Sequence, residues 1–505
     1  MSVRRDLRII AVIAAALLST AHIGTDDVFF VGRAGPYGVR VSIRQPGVIP
    51  GLADITVRTE GEGVQRVLVT ALRRVGNLGS APPADTASSV AGEFGMFTAQ
   101  LWLMTRGPHS VIVTVEGAAG AGTATIPVMA RATRRIAMTP GLGVLLAIGG
   151  LFLVLGLLTI VGAASRESRL PPDAEPSKAD RWRGRFALAG GAVVLAFLLF
   201  GGWTWIRAEA ATYRTRIDRT WTSEAKTRAT DRGVALEFSI TEPRWVMRED
   251  SAWRAANRFG RAPDLIPDHG KMMHLFLVRE PDLNAFAHLH PARTDENSFL
   301  GAMPSLPAGR YRVYADVVHE DGASRSFFTT LDMATDSATD VRATPPLAAD
   351  PDDAWWTGEI GDRDMSRTGN GYSIRWMNPN APLVAGRDAE LVFILIDADG
   401  APVPLEPYIG MNGHAMLNSA GGQVFMHLHP SGSISVASQQ VLDRVGAAAH
   451  ETVPPAAAMR RDQNIGVVRF PFVVPAPGRY RIWVQVKGAA QVLTGAFDAE
   501  VKDRE

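Results

Sequence analysis

Phe286-Ala287-His288-Leu289-His290-Pro291 and Phe425-Met426-His427-Leu428-His429-Pro430 are one phrase written twice. Each copy sits in the same order of blocks. Upstream stand Met273-His274-Leu275-Phe276-Leu277-Val278 and Gly413-His414-Ala415-Met416-Leu417. Downstream stand Pro307-Ala308-Gly309-Arg310-Tyr311-Arg312-Val313-Tyr314 and Ala476-Pro477-Gly478-Arg479-Tyr480-Arg481-Ile482-Trp483. Chance supplies one such match but not three in order, so two homologous domains are expected, at 230–337 and 367–505. Between them, 338–366 carries Pro345, Pro346 and Pro351 among Ala and Asp residues and reads as a linker. The second copy has a longer stretch, 431–463, rich in Ala and Ser and containing His450 and Met459. It reads as a partly helical surface excursion with the dimensions of a lid.

Outward from the repeat, residues 28–132 alternate with period two, as in Val39-Arg40-Val41-Ser42-Ile43 and Val111-Ile112-Val113-Thr114-Val115. Short strands at regular spacing between Gly, Pro, Asp and Ser clusters argue an immunoglobulin-like β-sandwich over 22–138. Two charge-free apolar runs follow, 140–164 and 186–206, each long enough to cross a ~30 Å hydrocarbon core. Spanning helices are expected at 139–164 and 186–207, flanking a loop at 165–185. That loop carries Arg166, Arg169, Lys178, Arg181, Arg183 and Arg185, which places it in the cytoplasm, although Arg131, Arg134 and Arg135 lie across the first run. Residues 1–21 read as a signal peptide or N-terminal anchor: Arg4, Arg5 and Arg8, an apolar run at 9–18, then Ser19-Thr20-Ala21. Neither spanning run holds an ionisable residue, which argues against an ion path through the hairpin. Gly143, Gly149, Gly150 and Gly156 offer places for close helix approach. The expected fold is mainly β: three immunoglobulin-like β-sandwich domains plus a two-helix transmembrane hairpin. The expected location is a bacterial inner membrane with both large parts outside the cytoplasm.

The chain of 505 residues has 52 Lys plus Arg against 51 Asp plus Glu, a net charge of +1, which excludes nucleic acid as a partner bound through bulk positive charge. It has no cysteine, so disulfides, thiolate zinc sites, Fe–S clusters and cysteine nucleophiles are excluded.

Nine of the eleven histidines fall between His269 and His450. Residues i and i+2 of a strand share a face, so His288 projects beside His290, and His427 beside His429. The strand before each pair brings His274 or His414 through a connection short enough for antiparallel neighbours. Three neutral imidazoles per copy suit copper, with zinc as the alternative. Methionines lean the choice to copper, because thioethers select Cu(I). Met272 and Met273 precede His274, Met411 precedes His414, and Met416 shares its strand face; Met426 adjoins His427 but points the other way. His319, ending a strand of the first copy, either completes the first site or makes a structural hydrogen bond. His269 is a loop residue or a fourth ligand. His22, were the signal cleaved after Ala21, would pair a free amine with an imidazole; His109 is the other histidine of the small domain.

The small domain, through Gly35-Pro36-Tyr37-Gly38-Val39 and Gly107-Pro108-His109-Ser110-Val111, and the two larger domains, through Phe-x-His-Leu-His-Pro, resemble exported bacterial proteins with YtkA-like domains, which are akin to FixH-type and CopC-type modules. The resemblance implies copper traffic or oxidase assembly as a context. The small domain has no Asp-x-His element of the CopC sort.

The expectation is therefore a membrane-anchored periplasmic metal-binding protein, a copper carrier, buffer or assembly factor and not an enzyme. Its partners would be a metal ion, the lipid bilayer and a membrane-bound metal acceptor. Two other readings compete: an envelope scaffold with structural histidines, and a metal-dependent hydrolase.

Overall fold

Strand residues dominate the chain, and they do so because the alternating segments bury one row each. The computed structural model describes residues 22–23, 27–73, 82–171, 174–230, 233–257, 260–333, 349–368, 371–446 and 466–504. The signal segment, His450, Met459 and 338–348 of the expected linker lie outside the described residues. Two compact units are formed, Ala132–Arg219 and the rest of the chain.

The smaller unit is a pair of helices, Pro140–Glu167 and Lys178–Arg216. Pro140 follows Thr139 at the first helical position, where its missing N–H leaves no bond unmade. The second helix opens on a capping box, with Ser177 Oγ accepting from Asp180 N at 3.2 Å and Asp180 Oδ2 accepting from Ser177 N at 3.0 Å. Both helices are long and apolar enough to cross a membrane, with mean hydropathy 2.8 and 2.0 over their apolar windows. The first helix runs past its apolar stretch at the C-terminal end and the second at both ends, so 165–167 and 178–185 of the expected loop are helical. The close approach is made by Gly162, Gly184 and Gly191, not by the four glycines expected. A Cβ on Gly184 would stand 2.9 Å from Gly162 O, whereas one on Gly149, Gly150 or Gly156 would meet nothing. Arg183 Nε donates across the pair to Ser165 O at 2.7 Å.

The larger unit contains three sandwiches. In the first, a sheet of Val28–Ala34, Tyr37–Arg44, Gly51–Glu60, Met96–Leu103 and Ser88–Ser89 is joined by one of Gly120–Ala130, Gly107–Gly117, Val64–Arg73 and Asp85–Thr86. Its strands bury alternate residues, for example Ala53, Ile55, Val57 and Thr59. Each of the other two sandwiches is a four-stranded and a six-stranded sheet. The first copy begins at Ser223–Thr230, slightly before the expected boundary. The expected linker is also structured where described. Ala354–Thr357 pairs antiparallel with Ala285–Leu289 and extends the first copy's larger sheet, and Met365–Arg367 starts the second copy. The excursion opens as a helix, Val436–Gly446. His22–Ile23 pairs in parallel with Val424 and Phe425 at an edge of the second copy.

What positions the site is burial on both faces of the repeated strands. In His274–Arg279, Leu275 and Leu277 enter the first copy's own core. In His414–Ser419, Ala415 and Leu417 enter the second's. The opposite faces meet each other: Phe276, Val278, Phe286 and Tyr314 form one apolar cluster with Met416, Phe425 and Trp483. Phe286 stacks on Trp483 at 4.6 Å, and Tyr314 on Phe425 at 4.0 Å. Phe286 and Phe425 occupy the same place in the repeated phrase, as do Tyr314 and Trp483. Each contact is therefore the other with the copies exchanged, as a two-fold relation requires.

Candidate metal centre

At one end of this junction the aromatic faces give way to imidazoles. His274, His288, His290, His414, His427 and His429 come from the two repeated phrases and the strands before them. His269 comes from the turn that precedes the first of those strands. All seven side chains are shielded from solvent. The two expected sites are thus one chamber. His274 lies 5.5 Å from His427 between ring centroids, and His288 lies 5.9 Å from His414.

Within the chamber two trios bring one nitrogen each to within 4.8 Å of the others: His274, His288 and His290, and His269, His414 and His429. The first is the trio expected from the sequence. The second unites His414 and His429 of the expected site with the first copy's His269. His427 stays adjacent, 5.3 Å from His414 and 4.5 Å from His429 between centroids.

The turns explain His269. Pro267-Asp268-His269-Gly270 and Pro407-Tyr408-Ile409-Gly410 are equivalent, a further recurrence ahead of His274 and His414. Asp268 bridges Lys271 as Tyr408 bridges Met411. Both central residues of each turn have positive φ, His269 53° and Gly270 82°, Ile409 50° and Gly410 76°. Glycine accepts this freely; histidine and β-branched isoleucine do so at a strain of ~1–3 kcal/mol each.

The ring nitrogens facing away from the chamber are fixed by acceptors. His288 Nδ1 donates to Gln485 Oε1 at 2.8 Å, His290 Nδ1 to Asp353 Oδ1 at 3.0 Å, His427 Nδ1 to Asp316 Oδ2 at 3.2 Å and His429 Nδ1 to Ile434 O at 3.2 Å. An imidazole that donates from Nδ1 presents Nε2 as a lone pair, and metal-bound histidines are held in this way. Asp353 is doubly committed, since it also accepts from His290 N at 2.7 Å. His274 Nδ1 stands 3.1 Å from His288 Nε2.

Seven buried ring nitrogens of the chamber have no hydrogen-bond partner in the protein: Nε2 of His269, His274, His290, His427 and His429, and both nitrogens of His414. At about 1–3 kcal/mol for each buried unsatisfied group, seven would rival the ~5–15 kcal/mol that holds a domain folded. A metal ion satisfies such nitrogens directly, so the donor set fits one. Five of the rings are held toward the neutral, ligating form. Burial, reinforced by the neighbouring rings, holds His274, His288, His414 and His429 well below the ordinary imidazole range. Burial lowers His269 too, against the pull of Asp268.

The remaining candidates fall in different places. Met416 is fully buried, shares the face of His414 and lies directly across the strand pair from His427. Phe276 holds the equivalent place in the first copy and stacks on His288 at 4.5 Å. Met411 is buried in the turn that matches Asp268–Lys271. Met273 and Met426 are sandwich-core residues. His319 is outside the chamber: it lies edge-on to Trp221 and Trp245 at 5.6 and 5.8 Å and donates from Nδ1 to Pro263 O at 2.8 Å. Its strand explains this. Tyr311, Val313, Ala315, Val317 and His319 share the core-facing parity, whereas Arg312, Tyr314 and Asp316 face the other copy. His109 bonds Gly107 O at 3.0 Å within the small sandwich. Sequence reasoning missed Asp316, Gln485 and Asp353; the first two share one place in the Arg-Tyr-Arg blocks.

The family model described as "Domain of unknown function (DUF8832)" matches residues 246–334 and 367–503, which are the two copies. No curated protein matches the chain. Among solved structures, a putative membrane anchored protein from Corynebacterium diphtheriae aligns at 9% identity over 94% of this chain and 96% of that one, with a TM-score of 0.14. An engineered protein aligns at 23% identity over 18% of this chain and 19% of its own, with a TM-score of 0.15. An endo-fucoidan hydrolase of glycoside hydrolase family 107 aligns at 9% identity over 91% and 43%, with a TM-score of 0.17. The chain thus spans less than half the length of the last two, and superpositions this poor carry no weight for fold or chemistry.

Proposed function

We propose that this chain is a membrane-anchored metal-binding protein whose histidine chamber takes up copper. The observation that carries the reading is the set of seven partnerless ring nitrogens, backed by four Nδ1 atoms locked on acceptors. Nitrogen donors of intermediate softness suit copper and zinc alike. The Met416 thioether beside His427 favours copper, and Cu(I) in particular. His274, His288, His290, His269, His414 and His429 would hold metal, with His427 and Met416 beside them. Buffering or delivery, rather than turnover, follows from rings closed off from solvent. The two apolar helices tether the chamber, on this reading to a bacterial inner membrane with the sandwiches outside. Tethering raises the effective concentration of bound metal at a membrane-bound acceptor.

The test is metal analysis of the full-length chain purified in detergent, loaded with copper or zinc and desalted. Copper retained by the native chain and lost in His274→Ala/His414→Ala, with the β circular dichroism intact, supports the proposal. A folded native chain that retains neither metal overturns it, and preference for zinc overturns the copper assignment.

A further inference from the structure

We propose that the chamber holds two metal ions side by side and that the second is shared between the copies, so that metal clamps one copy onto the other. This rests on the metal reading above and adds a stoichiometry and a structural consequence to it.

Seven imidazoles exceed what one ion of this class takes, since His-ligated zinc and copper sites are built on three or four protein ligands. The two trios have no residue in common. His274, His288 and His290 all belong to the first copy. The other trio is mixed, with His269 from the first copy and His414 and His429 from the second. An ion there is bonded to both copies at once, through His269 of the first and His414 and His429 of the second. The trios are neighbours, with His274 and His414 6.4 Å apart between ring centroids. Two cations this close need nearby negative charge. Asp353 stands behind His290, Asp316 behind His427, and Asp268 Oδ1 lies 3.6 Å from His269 Nε2.

The two positions are unequal. His427 Nε2 has no protein partner and adjoins His414 and His429. The second position can therefore draw on four imidazoles, the closed tetrahedral set typical of structural sites. At the first position the residue equivalent to His269 is Ile409, which cannot ligate. That leaves three rings, the number found where one coordination position stays open for exchange. The mixed position is the clamp, and the single-copy position is the one that trades its ion.

The experiment titrates copper(II) into the metal-free full-length chain in detergent. Bound copper is counted after desalting, electron paramagnetic resonance reports spin coupling, and hydrogen–deuterium exchange is followed in His414–Ser419 and Val424–Leu428. Two equivalents are expected, with a half-field transition from coupled spins and slowed exchange in both strands. His269→Ala/His427→Ala, which leaves that position two rings, should bind one equivalent, without the half-field transition and without the slowing. His290→Ala, which removes a ligand from the other side, should also bind one uncoupled equivalent but keep the slowing. A native chain with one equivalent, two uncoupled equivalents, or a folded His269→Ala/His427→Ala chain that still couples two spins overturns the pair. A folded native chain with no copper takes down the metal reading itself, a distinguishable result.

Discussion

His288 of the first copy donates its Nδ1 proton to Gln485 of the second across 2.8 Å, and the same contact is made in reverse. His427 of the second copy donates to Asp316 of the first at 3.2 Å. Asp316 and Gln485 are equivalent, paired in their own sheets with His274 and His414. Each is steadied from the next strand by a hydroxyl, Ser326 on Asp316 and Thr494 on Gln485. Each copy therefore orients an imidazole belonging to the other, so docking and ligand alignment are one event.

Replacing Gln485 with Leu removes the acceptor and frees the His288 ring to turn. Partners of this kind are worth about 10–100-fold in metal affinity. Copper affinity, measured by competition with a chromogenic chelator, should fall by that order while the fold persists; an unchanged affinity would show that the contact does not align a ligand.

The metal-free chain should lose stability in acid. His274, His288, His414 and His429 have folded-state values depressed below the ordinary 6.5. Below pH 6.5 the unfolded chain binds more protons than the folded one, so stability rises with pH there and levels off above it. The urea midpoint should drop as the pH falls from 6.5, and addition of copper at neutral pH should raise it. A midpoint flat from pH 7 to 5 contradicts the neutral chamber.

His319→Phe should leave copper binding untouched, because the ring packs against Trp221 and Trp245 in the first copy's core. Its effect belongs to folding, through loss of the bond to Pro263 O, which is worth about 0.5–1.5 kcal/mol. Loss of a metal equivalent would place His319 in the chamber after all.

Trp483→Ala should destabilise the junction by about 3–5 kcal/mol, the usual range for an emptied aromatic core site. Trp483 is fully buried against Phe286. Chemical denaturation should show the loss, and copper affinity should weaken with it because the same junction carries the rings. Full affinity in this variant would separate docking from metal.

The repeat, the β class and the first trio were legible because period-two alternation dictates which side chains share a face. Leu275-Phe276-Leu277-Val278 is apolar without interruption, a mark of burial on both faces, yet it does not say what covers the second face. That cover is the other copy, and it merges two sites into one. His269 escaped because its equivalent is Ile409, so comparing the copies for shared histidines hides it. For His319 the sequence leaves a ligand and a structural hydrogen bond both open, and strand parity, which points it into the sandwich core, decides for the second. Ala354-Trp355-Trp356-Thr357 lies within a Pro- and Asp-rich stretch that reads as a linker, although two adjacent aromatics there are a strand signal.

X-ray absorption at the copper edge of the loaded full-length chain is the most direct test of the chamber. The account predicts a nitrogen shell near ~2.0 Å with the outer-shell scattering of three or four imidazoles per ion. A shell dominated by oxygen, without imidazole scattering, would contradict it.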